Sequence, residues 1–200
     1  TERQVLYQLP INFHRNTPGA WVTDAPWKLP EIPDEAGYSS CRWVFDPSSD
    51  SKGVSESTPV TGDTLYAVRD IVSPEISFSE DINITYDGRG HALSVTASHP
   101  LYSAADTAKE GDVLFYYTWS WEENGRKHEQ KGYDLSSLSF TETCGISVSV
   151  QVEAQVKAAS GENNTVLSQE SHTWKVQITE PETSEPTETP EPSEPTESTE

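Results

Sequence analysis

Five histidines are the residues of this chain best suited to acid–base catalysis or metal binding, but their spacing places no second such group close to them in the sequence. They stand far apart, at His14, His91, His99, His128 and His172. None is paired with a cysteine or a second histidine at the short intervals of zinc motifs. Because a catalytic or metal site needs several groups to converge, this scatter predicts surface or edge-strand positions without a catalytic or metal-binding role.

The acidic and hydroxyl residues do not form a reactive pattern either. In "DPSSDS", Asp46 and Asp50 lack the glycine and the closing glutamate of a calcium loop. Carboxylate pairs of the kind glycosidases use occur by chance among 33 acidic residues. No serine follows a nucleophile-elbow pattern, and no glycine-rich phosphate loop is present. We therefore predict a protein that is not an enzyme, with no catalytic residue, no metal and no cofactor.

The six tryptophans are the one set of residues that favours a binding role. Exposed indole rings can stack on sugars, whereas buried ones fill cores that lack other large side chains. Trp43, Trp119 and Trp121 lie in alternating segments with apolar partners, which favours the core. Trp21 and Trp27 lie in the proline-containing stretch "GAWVTDAPWKLP", where exposure and burial are equally compatible with the sequence. We take Trp21 and Trp27 as the candidate ligand-binding residues.

The charge of the chain excludes two classes of partner. The formal net charge is -20, and residues 180–200 carry eight glutamates and no basic residue, which leaves -12 for residues 1–179. Nucleic acids and anionic membrane surfaces both require a basic face, so we expect neither as a partner. No segment approaches the roughly 20 apolar residues of a membrane span.

The two cysteines, Cys41 and Cys144, are too few for a disulfide scaffold. One long-range bridge between them remains an alternative. The domain division given below places them in different domains, which favours two free, buried thiols.

The elements that would position these residues are strands. In residues 1–69, short apolar stretches between prolines predict strands at "PINFH", "SCRWVF" and "TLYAV". Residues 70–179 alternate apolar and polar side chains in "ALSVTA", "VLFYYTWSW", "ISVSVQVEAQV" and "TWKVQI", which is typical of strands with one buried face. Asn124-Gly125 predicts a tight hairpin turn, and "AASGENNT" predicts a second turn. Strands without helices indicate an all-β protein with a β-sandwich.

Residues 180–200 have a different character. They repeat "SEPTE", and proline and glutamate prevent a packed core. We predict a disordered, extended Pro/Thr/Ser/Glu-rich linker that spaces this chain from another part of its parent protein.

Residues 1–69 resemble the Listeria–Bacteroides repeat, also called the internalin B-repeat. The resemblance lies in Gly37-Tyr38, in Trp43 a few positions later and in the closing strand "TPVTGDTLYAV" at residues 58–68. Arg42 stands where that family usually has a glycine, so the repeat is degenerate. The resemblance implies a small β-grasp-like module with Tyr38, Trp43, Leu65 and Tyr66 in its core.

Residues 70–179 look like a bacterial immunoglobulin-like domain. "YTWSWEENGRK" resembles the tryptophan strand with its hairpin, and "SLSFTETCGISVSV" resembles the strand pair that carries the second cysteine of true immunoglobulin domains. The "ALSVTA" strand has no cysteine, so the inter-sheet disulfide is missing. Alternation places seven further residues in the core of this sandwich: Phe115, Tyr117, Trp119, Trp121, Val148, Val150 and Trp174.

These observations lead to two hypotheses of function. The first is a non-catalytic stalk module of a secreted bacterial cell-surface protein, which spaces or presents the other domains of its parent outside the cell. The second is an adhesin or carbohydrate-binding module whose partner is a host protein or a glycan.

Overall fold

The computed structural model describes residues 3–10, 13–17, 20–23, 29–48, 53–54 and 64–182. Within these residues the chain forms strands and no helix, which confirms the all-β class. No helix suited to crossing a membrane occurs in the described part of the chain. Of the predicted linker at residues 180–200, only residues 180–182 are described.

The first region forms a three-stranded antiparallel sheet in the order β1-β5-β4. Its strands are β1 (Arg3–Pro10), β4 (Arg42–Val44) and β5 (Thr64–Asp70), and a separate hairpin joins β2 (Phe13–Thr17) to β3 (Ala20–Thr23). Of the strand predicted at "PINFH", Pro10 ends β1 and Phe13 and His14 begin β2, whereas residues 11 and 12 lie outside the described residues. β1 itself went unpredicted because its apolar residues do not alternate cleanly.

A small hydrophobic cluster lies against this sheet. Trp43, Leu65 and Ala67 are buried, and half-buried side chains including Cys41 and Phe45 pack against them. The Trp43 indole N–H donates to Pro30 O over 3.1 Å, so its polar group is satisfied.

The second region contains two sheets that share one core. The five-stranded sheet has the order β10-β9-β12-β13-β7 and the three-stranded sheet the order β11-β8-β6. Their bounds are β6 (Glu75–Phe78), β7 (Ile82–Thr85), β8 (His91–Ser98), β9 (Val113–Glu123), β10 (Arg126–Gly132), β11 (Ser137–Phe140), β12 (Cys144–Val156) and β13 (Thr165–Thr179). All pairings are antiparallel except β7 with β13, which is parallel.

Alternation along the long strands builds the shared core. The buried residues from both sheets include Leu93 and Val95 of β8, Trp119 of β9 and Val150 of β12. Trp119 stacks on Trp174 with ring centroids 5.4 Å apart. Each indole N–H donates to a backbone carbonyl, that of Trp119 to Leu135 O over 2.6 Å and that of Trp174 to Ser79 O over 2.7 Å. These bonds tie the tryptophans to the loops at the edges of the sandwich.

The two predicted turns are confirmed. β9 ends at Glu123 and β10 begins at Arg126, so Asn124-Gly125 forms a two-residue loop. Both residues have positive φ, 51° and 75°, as a type I′ turn requires. The second turn spans the gap between Val156 at the end of β12 and Thr165 at the start of β13.

The strand that carries Cys144 is β12, and its register decides which of its residues face Trp119. Cys144 is the first residue of β12 and faces Ile178, whereas the residue opposite Trp119 is Val150. Without a second cysteine in β8, the apolar alternation alone fixes which residues of β12 face inward. Cys41 and Cys144 are both free and half-buried, and they pack against different hydrophobic clusters.

A joint connects the two regions. The predicted boundary between residues 69 and 70 falls at the end of β5, and Ile71 beyond it is buried in the sandwich core together with half-buried Tyr38. Val72 N–H donates to Gly37 O over 3.0 Å. Gly37 is buried against Leu101, and a Cβ at Gly37 would lie 2.6 Å from Leu101 Cγ. Arg69 covers the Tyr38 ring at 3.8 Å and bonds Glu35.

Candidate ligand-binding face of the sandwich

The outward side of β9 and β12 carries a polar surface that is ordered by hydrogen bonds. Since apolar residues of these strands point inward, the alternate positions point outward. The register brings Thr118 beside Gln151 and Tyr116 beside Glu153. We call this side of the five-stranded sheet the outer face.

A hydrogen-bonded network occupies one end of the outer face. The Tyr133 ring meets the Tyr116 ring edge-on with centroids 5.0 Å apart. Tyr133 Oη donates to Gln155 Oε1 over 3.0 Å and accepts from Asn164 Nδ2 over 3.2 Å. Asn164 Oδ1 accepts from Ala158 N–H, which anchors the amide to the turn after β12. The Tyr133 ring is therefore held in place by its hydroxyl group, with its ring against that of Tyr116.

Glu153 is the charged centre of this network. Its carboxylate accepts from Gln151 Nε2 over 2.9 Å and from Gln155 Nε2 over 2.8 Å. These bonds fix the amide orientations, and each amide keeps a second N–H for an outside acceptor. We call Tyr116, Tyr133, Gln151, Glu153, Gln155 and Asn164 the outer-face network. It offers donors, acceptors and aromatic surface in fixed positions.

A shallow groove of ≈ 550 Å³ lies at the other end of β9 and β12. The groove is lined by serine, charged and aromatic side chains: Ser120, Ser147, Ser149, Glu122, Lys127, Glu129, Trp121 and His128. The Trp121 and His128 rings stack with centroids 5.1 Å apart. The groove is therefore rich in hydroxyl groups and carries both signs of charge.

The candidate acid–base and metal groups are placed apart from one another. His91 pairs with Asp87 at 2.9 Å, His172 stacks on Phe78, and His99 is buried. His14 lies in β2. In the described residues no three His, Cys, Asp or Glu side chains are grouped to hold a metal ion.

The "DPSSDS" segment has a local structural role. Asp46 Oδ1 accepts from Ser48 N–H over 2.9 Å and from Ser48 Oγ over 2.6 Å. These two hydrogen bonds lower the pKa of Asp46 below its usual value. Asp46 thus closes its own turn, and Asp50 lies outside the described residues.

The other predicted residues are placed as follows. Trp27 lies outside the described residues, and for Trp21 only the backbone, in β3 opposite Arg15, is described. Eight predicted core residues are buried: Trp43, Leu65, Phe115, Tyr117, Trp119, Val148, Val150 and Trp174. Three are half-buried: Tyr38, Tyr66 and Trp121.

Sequence reasoning missed the outer-face network. The sequence favoured tryptophan as the ligand-binding residue type, whereas the network uses tyrosine, amides and one carboxylate. The signal was present in β12, where Gln151, Glu153 and Gln155 repeat at every second position opposite the apolar face. Tyr133 and Asn164 join the network from turns, which no strand pattern places.

No family model, no curated protein and no solved structure matches this chain. The resemblance to the internalin B-repeat and to an immunoglobulin-like domain therefore stays a prediction.

Proposed function

We propose that this chain is a non-catalytic structural module of a secreted bacterial cell-surface protein, in which it spaces or presents the other domains of its parent. The observation that carries the proposal is the parallel pairing of β7 with β13, the last described strand before the predicted linker. A spacer transmits force along its chain, and this pairing is suited to resist that force.

The direction of loading explains why. Tension on the chain pulls β13 toward its C-terminal end and β7 toward its N-terminal end. Since the two strands are parallel, the pull shears them past each other and loads their hydrogen bonds together. The bond from Tyr86 N–H to Thr179 O, at 2.7 Å, lies where tension from the linker would enter.

The joint between the two regions also supports a spacer. Contacts of Gly37 with Val72 and Leu101 restrict the angle between the first sheet and the sandwich. A chain that must hold domains at a distance gains reach from a stiff joint, because a flexible one lets its ends approach.

The finer fold assignment belongs to the same proposal. The order β11-β8-β6 corresponds to strands E, B and A of an immunoglobulin sandwich, and β9-β12-β13 corresponds to C, F and G. β10 extends the second sheet beyond strand C. In the first region, which we now call the first module, burial of Trp43 and Leu65 agrees with the core of a β-grasp-like repeat.

Single-molecule stretching of the full chain tests the load-bearing role. We expect the sandwich to unfold in one event at high force. Tyr86→Pro removes the N–H that bonds Thr179 O and should lower that force, whereas Tyr86→Ala keeps the N–H and should not. Equal forces for the two variants would contradict a clamp at β7 and β13.

The outer-face network favours a second candidate function, recognition of a neutral glycan. Sugar hydroxyls both donate and accept, as do the amides and phenols of the network, and prior ordering of those groups lowers the cost of binding. The net charge of -20 would repel polyanionic glycans.

An array of neutral and anionic glycans tests this second function. We expect neutral ligands to bind and Tyr133→Phe to weaken them about tenfold, since it removes a hydroxyl that orders Gln155 and Asn164. Gln177→Ala, at an exposed position of β13 away from the network, is the control. An array with no neutral ligand, or equal loss in both variants, would refute glycan recognition.

A further inference from the structure

His99 stands at the joint between the two modules, in a position that the spacer role does not use. It is 7% exposed and follows Ser98, the last residue of β8. Its Nε2 lies 3.1 Å from Val72 O in the connection between the modules. Its Nδ1 accepts a hydrogen bond from Leu101 N–H over 3.0 Å.

These two hydrogen-bond partners determine which nitrogen of the imidazole ring carries the proton. Since Val72 O is an acceptor and Leu101 N–H is a donor, the imidazole must carry its proton on Nε2 and keep Nδ1 unprotonated. A second proton can enter only at Nδ1, and it would displace the Leu101 N–H. The geometry therefore requires neutral His99.

Leu101 connects this ring to the first module. Its side chain packs against Gly37, at a separation that leaves no room for a Cβ on that glycine. Val72, the other partner of His99, donates its N–H to Gly37 O. Both hydrogen bonds of His99 thus end on residues that contact the same loop of the first module.

We propose that His99 is a pH-sensitive latch, which seats the first module on the sandwich when neutral and loosens it when Nδ1 is protonated. The proton adds to the Nδ1 lone pair, and the Leu101 N–H···Nδ1 bond breaks. The Nε2–H···O bond to Val72 persists. Leu101 O keeps its bond from Val113 N–H, so the rearrangement is confined to the joint.

The cleft beside His99 contains one carboxylate that would compensate a positive charge on the ring. A cleft of ≈ 340 Å³ beside it is lined by Val72, Ser73, Ser98, Pro100 and, from β6, Glu75. On the first module's side of the joint, Arg69 is already paired with Glu35 at 2.6 Å. Tyr102 donates its backbone N–H to His99 O, and its ring stacks on Phe115.

Burial lowers the pKa of His99, and the hydrogen bond to Val72 O opposes this in part. A histidine with a lowered pKa stabilises the folded joint above its usual value of about 6.5. That contribution is lost as the pH falls from there through the lowered pKa. The latch depends only on the contacts at the joint, so the proposal is independent of whether the chain bears load.

Amide hydrogen exchange of the full chain, read residue by residue by NMR at about pH 7.5 and at a lower pH where the His99 ring signals show it to be protonated, tests the latch. After correction for intrinsic exchange, we expect protection of the Leu101 and Val72 amides to fall about fivefold at the lower pH, the effect of losing one hydrogen bond. The Val150 amide in the sandwich core should keep its protection. Unchanged protection of Leu101 and Val72 would overturn the proposal.

His99→Asn should abolish this pH response, because its Oδ1 can accept from Leu101 N–H and does not titrate in this range. Glu75→Gln, which neutralises the cleft carboxylate, should retain the response, as should His128→Asn at β10. Loss of the response in Glu75→Gln, or its survival in His99→Asn, would assign the sensing to another group. If His99→Asn does not fold, the wild-type Leu101 amide shift must titrate together with the His99 ring.

Discussion

Hydrogen bonds hold individual side chains in place within and beside the hydrophobic cores of this protein. Trp119 has no exposed surface, yet its indole N–H reaches Leu135 O. Asp70 receives hydrogen bonds from Arg3 and Arg42 at the end of the sheet that holds the Trp43 cluster. The consequences of removing each group follow from these contacts.

Trp119→Ala should destabilise the sandwich by about 3–5 kcal/mol, as large-to-small core changes do. The change opens a cavity beside Trp174 and leaves Leu135 O without its indole donor. Trp121→Ala is the matched control, and because Trp121 is only half-buried near the end of β9 its loss should be smaller. Urea unfolding gives both free energies. If Trp119→Ala unfolded like the parent, the inward placement of this residue would be wrong.

Asp70→Asn should lower the stability of the first module by about 1.5–3 kcal/mol at neutral pH, the range for hydrogen bonds to charged groups. Burial raises the pKa of Asp70, but bonds from Arg3 at 2.8 Å and Arg42 at 2.7 Å outweigh it and hold the pKa below the usual value. The stabilisation is therefore present above about pH 3.9 and lost as the pH falls through the lowered pKa. Urea titrations of both proteins should converge in acid, and a constant gap would contradict the ion pairs.

At the scale of the strands, the sequence predicted most of the sandwich and, at "SCRWVF" and "TLYAV", the strands β4 and β5 of the first sheet, but not β1. β9, β12 and β13 alternate over long stretches, so their inward residues could be named in advance. The joint could not be predicted, because Gly37 is distant in sequence from Leu101 and meets it only through folding. The outer-face network was hidden for a related reason, since Tyr133 and Asn164 reach it from turns.

The hairpin of β9 and β10 depends on backbone conformation at Gly125. Its φ of 75° is disfavoured for residues with a Cβ, so Gly125→Ala should cost about 1–2 kcal/mol although nothing lies within 4 Å of the added methyl. Gly145→Ala, in β12 with equally open space and no positive φ, should be neutral or slightly stabilising. Both variants reduce the backbone freedom of the unfolded chain, but only Gly125→Ala also strains the folded backbone. The difference between their melting temperatures therefore reports the strain. Equal melting temperatures would argue against a type I′ turn.

At the scale of the whole molecule, the arrangement depends on a joint between two hydrophobic clusters that do not merge. The Trp43 cluster belongs to the first sheet and the Trp119 cluster to the sandwich, while Tyr38 and Ile71 pack with the sandwich from the first module's side. This arrangement allows each module its own core and still couples their orientation. We expect the connection from Asp70 to Pro74 to be protected from proteolysis only while that coupling holds.

Gly37→Ala should uncouple the modules without unfolding either core. The added Cβ would lie 2.6 Å from Leu101 Cγ, and a φ of 89° strains any residue with a side chain. Thermolysin, which cuts beside apolar residues, should then cleave near Ile71 and Val72 and release two folded pieces, whereas the parent chain resists. Gly88→Ala carries similar backbone strain at φ 75° with nothing within 4 Å, so it should resist as the parent does. Resistance of Gly37→Ala would mean that Leu101 yields without opening the joint, and rapid cleavage of the parent would mean that the contacts of Gly37 do not hold the modules together.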